Sequence, residues 1–256
     1  MKFSQETNEA VDNLTIMDDT FFTLLAEDET FCQDVISVIL SNCGVRIKEC
    51  YPQKVLRNIK GRSVIVDVLC IDFDGNYYNI EIQKADNDDH QRRVRYNASN
   101  VDTYISRKST DFKELPDIYI IYISNFDIFE GRKPIYIIDR VIRGTNKVVD
   151  NGFHEIYVNT VIKDNSAVSD LMDDFTNKSI PKYDSRFPNV NKVVRYYKEG
   201  EGRDKMCAVV EELSNKKVKD IAIKMIKKGF TNDSIIELTS LTDEEINELR
   251  SLNQAE

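Results

Sequence analysis

Apolar residues recur along the chain in two rhythms, a helical one of about 3.6 residues and a strand rhythm of about 2. Within residues 18–40, Phe21, Phe22, Leu24, Leu25, Val35, Ile36, Ile39 and Leu40 keep the helical period, broken near Asp28. Residues 63–73 (SVIVDVLCIDF) are β-branched and almost continuously apolar, as expected of a strand buried on both faces. Asp74-Gly75 marks a hairpin turn. Residues 76–84 then alternate, with Tyr78, Ile80 and Ile82 on one face and Asn79, Glu81 and Gln83 on the other. After the polar ADNDDH stretch, residues 91–107 place Val94, Ala98, Val101 and Ile105 on one helical face. Residues 117–124, 135–141 and 153–160 read as further strands, and residues 167–178 as a helix ended before Pro181. The order predicts an α/β fold, a mixed central sheet flanked by helices. Beyond it, residues 203–219 form a charged helix and residues 221–252 three short ones. Gly229 stops the first of these, Thr231 or Asn232 caps the second, and Thr242 with Glu245 forms a capping box for the third. Two regions result: residues 1–200 around the sheet, and residues 201–256 as a C-terminal helical tail.

Polar positions inside this pattern carry the chemistry. Asp67 lies in the middle of VIV-D-VLCI, where a charge is costly unless something pairs with it. Glu81 and Gln83 stand on the polar face of the neighbouring strand. A two-residue loop at Asp74-Gly75 would set Asp67 opposite Ile82 and leave Glu81 on the wrong face. A three-residue loop, Phe73-Asp74-Gly75 with Gly75 left-handed, sets Asp67 opposite Glu81, with the carboxylates roughly 5 Å apart. Like charges that close repel unless a divalent cation lies between them, so the pattern fits a Mg²⁺ or Mn²⁺ site. The same residues admit a plainer reading, with Asp67 paired to a buried Arg or to backbone donors while Glu81 and Gln83 face solvent.

Composition narrows the classes. The 256 residues are 41% hydrophobic and 31% charged, enough for a real core and a solvated surface. No apolar run approaches the roughly 20 residues of a membrane span, and the polar N-terminus lacks a signal-peptide stretch, so a cytoplasmic protein is expected. Cys32, Cys43, Cys50, Cys70 and Cys207 include no C-x-x-C pair, and the only histidines are His90 and His154. Reduced, buried thiols are the ordinary reading, and a structural zinc site is not expected. A nucleotide cofactor is not expected either. The net charge of −9 opposes non-specific nucleic-acid binding, but the charge is unevenly spread. Arg46, Lys48, Lys54, Arg57, Lys60 and Arg62 form one basic stretch, and Arg92, Arg93, Arg95, Arg107 and Lys108 a second. A local polyanion surface and an ordinary solvated surface both fit. The acidic tail argues against a DNA-reading helix and is read as a self-association element, a homodimer contact, or a partner-binding element.

The order helix, Asp, hairpin into E-x-Q, basic helix resembles the PD-(D/E)XK nuclease superfamily. More closely it is similar to the recombination-promoting nucleases, also described as PD-(D/E)XK nuclease family transposases. DDTFFTLLAEDETFC (18–32), GRSVIVDVLCID (61–72), GNYYNIEIQKAD (75–86) and RRVRYNAS (92–99) carry the match, extended by ELPDIYIIYIS (114–124) and KPIYIIDRVI (133–142). The tail also looks like the C-terminal region of that family. The resemblance implies a metal-dependent DNA endonuclease linked to recombination or mobile elements, with Asp67, Glu81 and the Ile82 carbonyl as ligands of Mg²⁺ or Mn²⁺. Gln83 occupies the place of the superfamily's lysine and can position a water or phosphate oxygen but brings no positive charge. Lys84 is adjacent, yet strand alternation points it to the other face. Asp19, in a D-x-x-F match, is a further metal-ligand candidate and Glu27 its alternative; an N-cap or surface acid is the competing reading for both. Arg92, Arg93, Arg95 and Tyr96 are candidate DNA contacts, set against an exposed, salt-bridged helix face. A non-catalytic relative that binds DNA or protein, or an enzyme acting on RNA, is the rival function.

Overall fold

In a computed structural model, residues 3–58, 61–106, 111–180 and 186–254 are described. Lys60, Arg107 and Lys108 of the two basic stretches, and Pro181, lie outside the described residues. The chain divides into two compact units, one of residues 13–196 and one formed by residues 1–12 with 197–256.

The larger unit is built on a six-stranded sheet of order β1-β2-β3-β4-β8-β5. Its strands are β1 (Ile47–Leu56), β2 (Val64–Asp72), β3 (Tyr77–Gln83), β4 (Ile118–Ser124), β5 (Ile135–Ile138) and β8 (Phe153–Asn159). The first three form an antiparallel meander, β3, β4 and β8 run parallel, and β5 returns antiparallel to β8. The expected mixed sheet is therefore present. The expected strand at 135–141 divides instead: after β5 the chain leaves the sheet, and β6 (Val141–Ile142) pairs only with β7 (Lys147–Val148).

Strand β1 carries Pro52, Lys48 and Lys54, and read as sequence it is a basic stretch rather than a strand. Its place at the sheet edge explains how it tolerates the proline, which cannot donate to a ladder. Helices α2 (Asp19–Leu25) and α3 (Glu29–Ile39) divide where the helical rhythm breaks, because Asp28 accepts from Thr30 N at 2.8 Å and caps α3. Phe22 packs on Phe31 and Phe175, with ring centroids 6.1 and 6.3 Å apart, which ties α2 and α3 to α5 (Ala167–Thr176).

A parallel β3–β4 pair needs a crossover, and α4 (His90–Ile105) supplies it. Its Val94, Ala98 and Val101 bury against Leu69, Ile118 and Ile120. Truncating Leu69 to Ala there would cost about 2–5 kcal/mol. His90, the first residue of α4, is buried, with Nδ1 2.9 Å from the Tyr122 hydroxyl and Nε2 2.9 Å from Asp86. That bridge holds the start of the helix over β4. Tyr78 and Tyr119 stack at 4.8 Å as sheet-face packing. α6 (Pro188–Lys198), which its sequence did not reveal, buries Val190, Val193 and Val194.

In the smaller unit, α7 (Arg203–Lys227) is one continuous helix of 25 residues. The break expected near residue 220 is absent, and the helix ends only where Gly229 takes φ +81°. α8 (Asn232–Thr239) and α9 (Asp243–Gln254) follow, and Ala222, Ile235 and Ile246 form their shared core with α7. The Thr242–Glu245 capping box is formed in both directions. Arg203 donates to Asp12 at 2.8 Å, so α1 (Gln5–Asn13), which the polar N-terminal sequence did not reveal, contributes its first residues to this unit.

Candidate active site

The hairpin between β2 and β3 sets the site. Asp72 N donates to Asn76 O, and Phe73, Asp74 and Gly75 form the loop between them, with Gly75 at φ +90°. Asp72 is buried and acts as the anchor. Its carboxylate accepts from Asp74 N (2.9 Å), Asn76 N (2.8 Å), Asn76 Nδ2 (2.9 Å) and the Tyr78 hydroxyl (2.8 Å). Four donors compensate the charge for the loss of water.

This is the three-residue loop with its glycine bulge, and the ladder follows from it: Ile71↔Tyr77, Cys70↔Tyr78, Leu69↔Asn79 and Val68↔Ile80. One step further the same register puts Asp67 opposite Glu81. There the ladder stops and the side chains reach across. Ile82 N donates to Asp67 Oδ2 at 2.9 Å, and Asp67 N lies 3.4 Å from Glu81 Oε1. N–H and C=O of one strand residue point to the same side, so the Ile82 carbonyl also faces Asp67, beyond the last ladder pair.

Glu81 does not face solvent. It is 7% exposed, Asp67 is half-buried, and Gln83 is half-buried beside them. Burial, then the Asp67 charge, pushes the Glu81 carboxyl well above the ordinary carboxylate range. Burial also raises Asp67, opposed by the Ile82 N–H, by the nearby Gln53 amide and by the Arg93 charge, and assisted by the charge of Asp19. The plainer reading is thus met for Asp67, which accepts the Ile82 backbone donor, and fails for Glu81, which is buried.

Two neighbouring carboxylates and a strand carbonyl offer oxygen donors here, a donor set that suits a hard divalent cation. Beside them the fully buried Asn79 amide lies close enough to favour the ionised form of Glu81. The site therefore fits the expected metal.

Glu81 lines a cavity of about 640 Å³ together with Arg62, Ser63, Asp89, Arg92, Arg93, Tyr96 and Asn97, among others. α4 brings Arg92, Arg93 and Tyr96 to the cavity that Glu81 lines. Arg95 is exposed and is not part of the cavity lining. Arg93 Nη1 donates to Gln83 Oε1 at 3.0 Å, while Gln83 Nε2 donates to Ala85 O at 2.6 Å, so the amide has one orientation. The Arg93 charge favours ionisation of both Asp67 and Glu81. Lys84 points away, as alternation predicts, and pairs with Asp18. Asp19 is an exposed first residue of α2; the N-cap position belongs to Asp18, which accepts from Thr15 N at 2.7 Å. Glu27 is exposed.

Gln53 and Asn97 escaped the sequence reading. Gln53 sits in β1 at φ +49°, a bend that no residue pattern announces and that turns its amide toward Asp67. Asn97 is signalled only weakly, as a polar residue one turn beyond Arg93 that ends up buried.

No curated protein and no solved structure matches the chain. A family model described as PD-(D/E)XK nuclease family transposase matches residues 9–160, which include every strand of the sheet and all the residues just placed around Asp67. Because that span is more than half of its length, the chain belongs to the PD-(D/E)XK nuclease family transposases.

Proposed function

We propose that the protein is a divalent-metal-dependent DNA endonuclease that hydrolyses phosphodiester bonds in recombination or in the movement of mobile elements. The observation that carries this reading is the meeting of Asp67 and Glu81 beside an arginine-lined cavity. Nucleases of this superfamily generally use divalent metal ions. Asp67, Glu81 and the Ile82 carbonyl would hold Mg²⁺ or Mn²⁺, with Asp19 near enough to add charge. Bound there, the ion supplies a water of lowered pKa and neutralises charge on the phosphoryl oxygens.

The chain's own groups do the rest. Arg62 and Arg92 draw the phosphate backbone toward Glu81, and Arg95 and Tyr96 extend that contact along α4. Gln83 lacks the lysine's charge, but it holds Arg93 by a hydrogen bond of 3.0 Å. Arg93 then brings a fixed guanidinium to the developing negative charge, and Gln83 acts as a positioning residue.

The test is nicking of supercoiled plasmid in Mg²⁺ and in Mn²⁺, with Asp67→Ala run beside the intact protein. Cleavage falling by at least about 100-fold in the variant, at unchanged circular dichroism, is expected. Equal cutting by both proteins would overturn the assignment. A second reading, a nuclease fold that binds DNA without cutting, draws on Gln83 in the lysine position and on the net charge of −9. It predicts DNA binding with no cleavage in any metal.

A further inference from the structure

Three cysteines far apart in sequence meet in the larger unit. Cys32 comes from α3, Cys50 from β1 and Cys70 from β2. Cys50 and Cys70 are direct cross-strand partners, their sulfurs 3.2 Å apart, and all three Sγ atoms lie within 4.8 Å of one another. Cys32 and Cys70 are fully buried, whereas Cys50 is half-buried. Thiols that serve only as small apolar side chains have no reason to turn three sulfurs toward one point.

We propose that Cys32, Cys50 and Cys70 form a binding site for a soft, thiophilic cation, Zn²⁺ or Cu(I), separate from the carboxylate site. Thiolate sulfurs at about 2.3 Å from a tetrahedral zinc stand roughly 3.8 Å apart, a spacing between the 3.2 Å of Cys50 and Cys70 and the 4.8 Å within which all three sulfurs lie. No fourth protein ligand joins the three among the described residues. Asp28, whose charge acts on Cys50, is committed to capping α3. Cys50 is the half-buried member of the three; a water reaching the ion would complete a zinc shell, while Cu(I) is satisfied by three sulfurs alone.

Interaction with the Cys32 and Cys70 thiols pulls the Cys50 thiol below its ordinary range, and both neighbours are raised. Binding releases the thiol protons to solvent and makes three metal–sulfur bonds without any redox change. The ion would tie α3 and β1 to β2 three residues beyond Asp67, bracing the strand that carries that carboxylate.

The full chain, reduced and stripped with EDTA, is titrated with Co²⁺ as a spectroscopic probe, then with Zn²⁺ to displace it. A separate anaerobic arm uses Cu(I) against a competing chelator. One equivalent of Co²⁺ with thiolate-to-metal absorption is expected, retained in Asp67→Asn and lost in Cys50→Ser. Alkylation followed by mass spectrometry guards against a misfolded variant. In the unmutated chain, metal should protect the half-buried Cys50 from alkylation but not the exposed Cys43. Absence of both thiolate absorption and Cu(I) uptake, or unchanged alkylation, overturns the proposal. So does a Cys50–Cys70 disulfide in aerobic protein that takes up no metal once reduced. None of these outcomes depends on whether the protein cuts DNA.

Discussion

Glu81 concentrates the tension of the site, because a carboxylate with 7% exposure stands against a second one. Its raised pKa, and that of Asp67, mean that the folded chain holds these protons more tightly than the unfolded chain does. Their contribution to stability is full below the ordinary carboxylate range and is lost as pH rises through the folded values. In EDTA, Glu81→Gln should therefore raise the melting temperature at pH 8 but not at pH 4. The gain expected is on the order of 1 kcal/mol, about 2–4 °C. The same variant should lose the stabilisation that Mg²⁺ gives the unmutated protein; a preserved Mg²⁺ shift would place the ion elsewhere. Arg93 admits a comparable test. Arg93→Ala should lower kcat by about 100-fold with a smaller change in KM. Adding Gln83→Lys to it should recover part of the loss, since the charge returns to the place where the superfamily carries it. Rescue by Gln83→Ala as well would mean that charge is not what Arg93 supplies.

At the scale of elements, the β2–β3 hairpin governs the site through its register. Gly75 at φ +90° is required by the loop, and nothing lies within 4 Å of a Cβ built on it. The cost of a side chain there is conformational rather than steric. Gly75→Val should lose about 1–2 kcal/mol, read as a lower melting temperature, whereas Gly75→Asn should be close to neutral. Cleavage should fall with the valine variant beyond the loss of folded protein, because a slipped register turns Glu81 away from Asp67. This element was legible in the sequence because loop length and strand period are local quantities. Edge strand β1 was not, since its basic residues and Pro52 hide a pairing that only β2 reveals. α7 was misjudged in the opposite direction. Lys219 and Asp220 read as a boundary, yet the helix continues because Ala222 is needed in the core shared with Ile235 and Ile246.

For the whole molecule, the net charge of −9 and a polyanion-binding role are reconciled by placement. Arg62 and Arg92 come from separate basic stretches and share one cavity with Glu81. In Ca²⁺, fluorescence anisotropy with duplex DNA should show that Arg62→Ala and Arg92→Ala each weaken binding. Each should also lower the slope of log affinity against log salt by about 1. An unchanged slope would remove these residues from the phosphate contacts. By itself the sequence determined most of the helices and strands, the loop length that an opposition of Asp67 to Glu81 requires, and the departure at Gln83. Each of these depends on spacing along the chain, through side-chain period and loop length. Only the tertiary structure decided that Gln83 grips Arg93, that Gln53 turns toward Asp67, and that three unpaired-looking cysteines share one point. Those neighbours are brought together by helix packing and strand pairing across ten or more residues, and no local spacing encodes which distant side chains will share a volume.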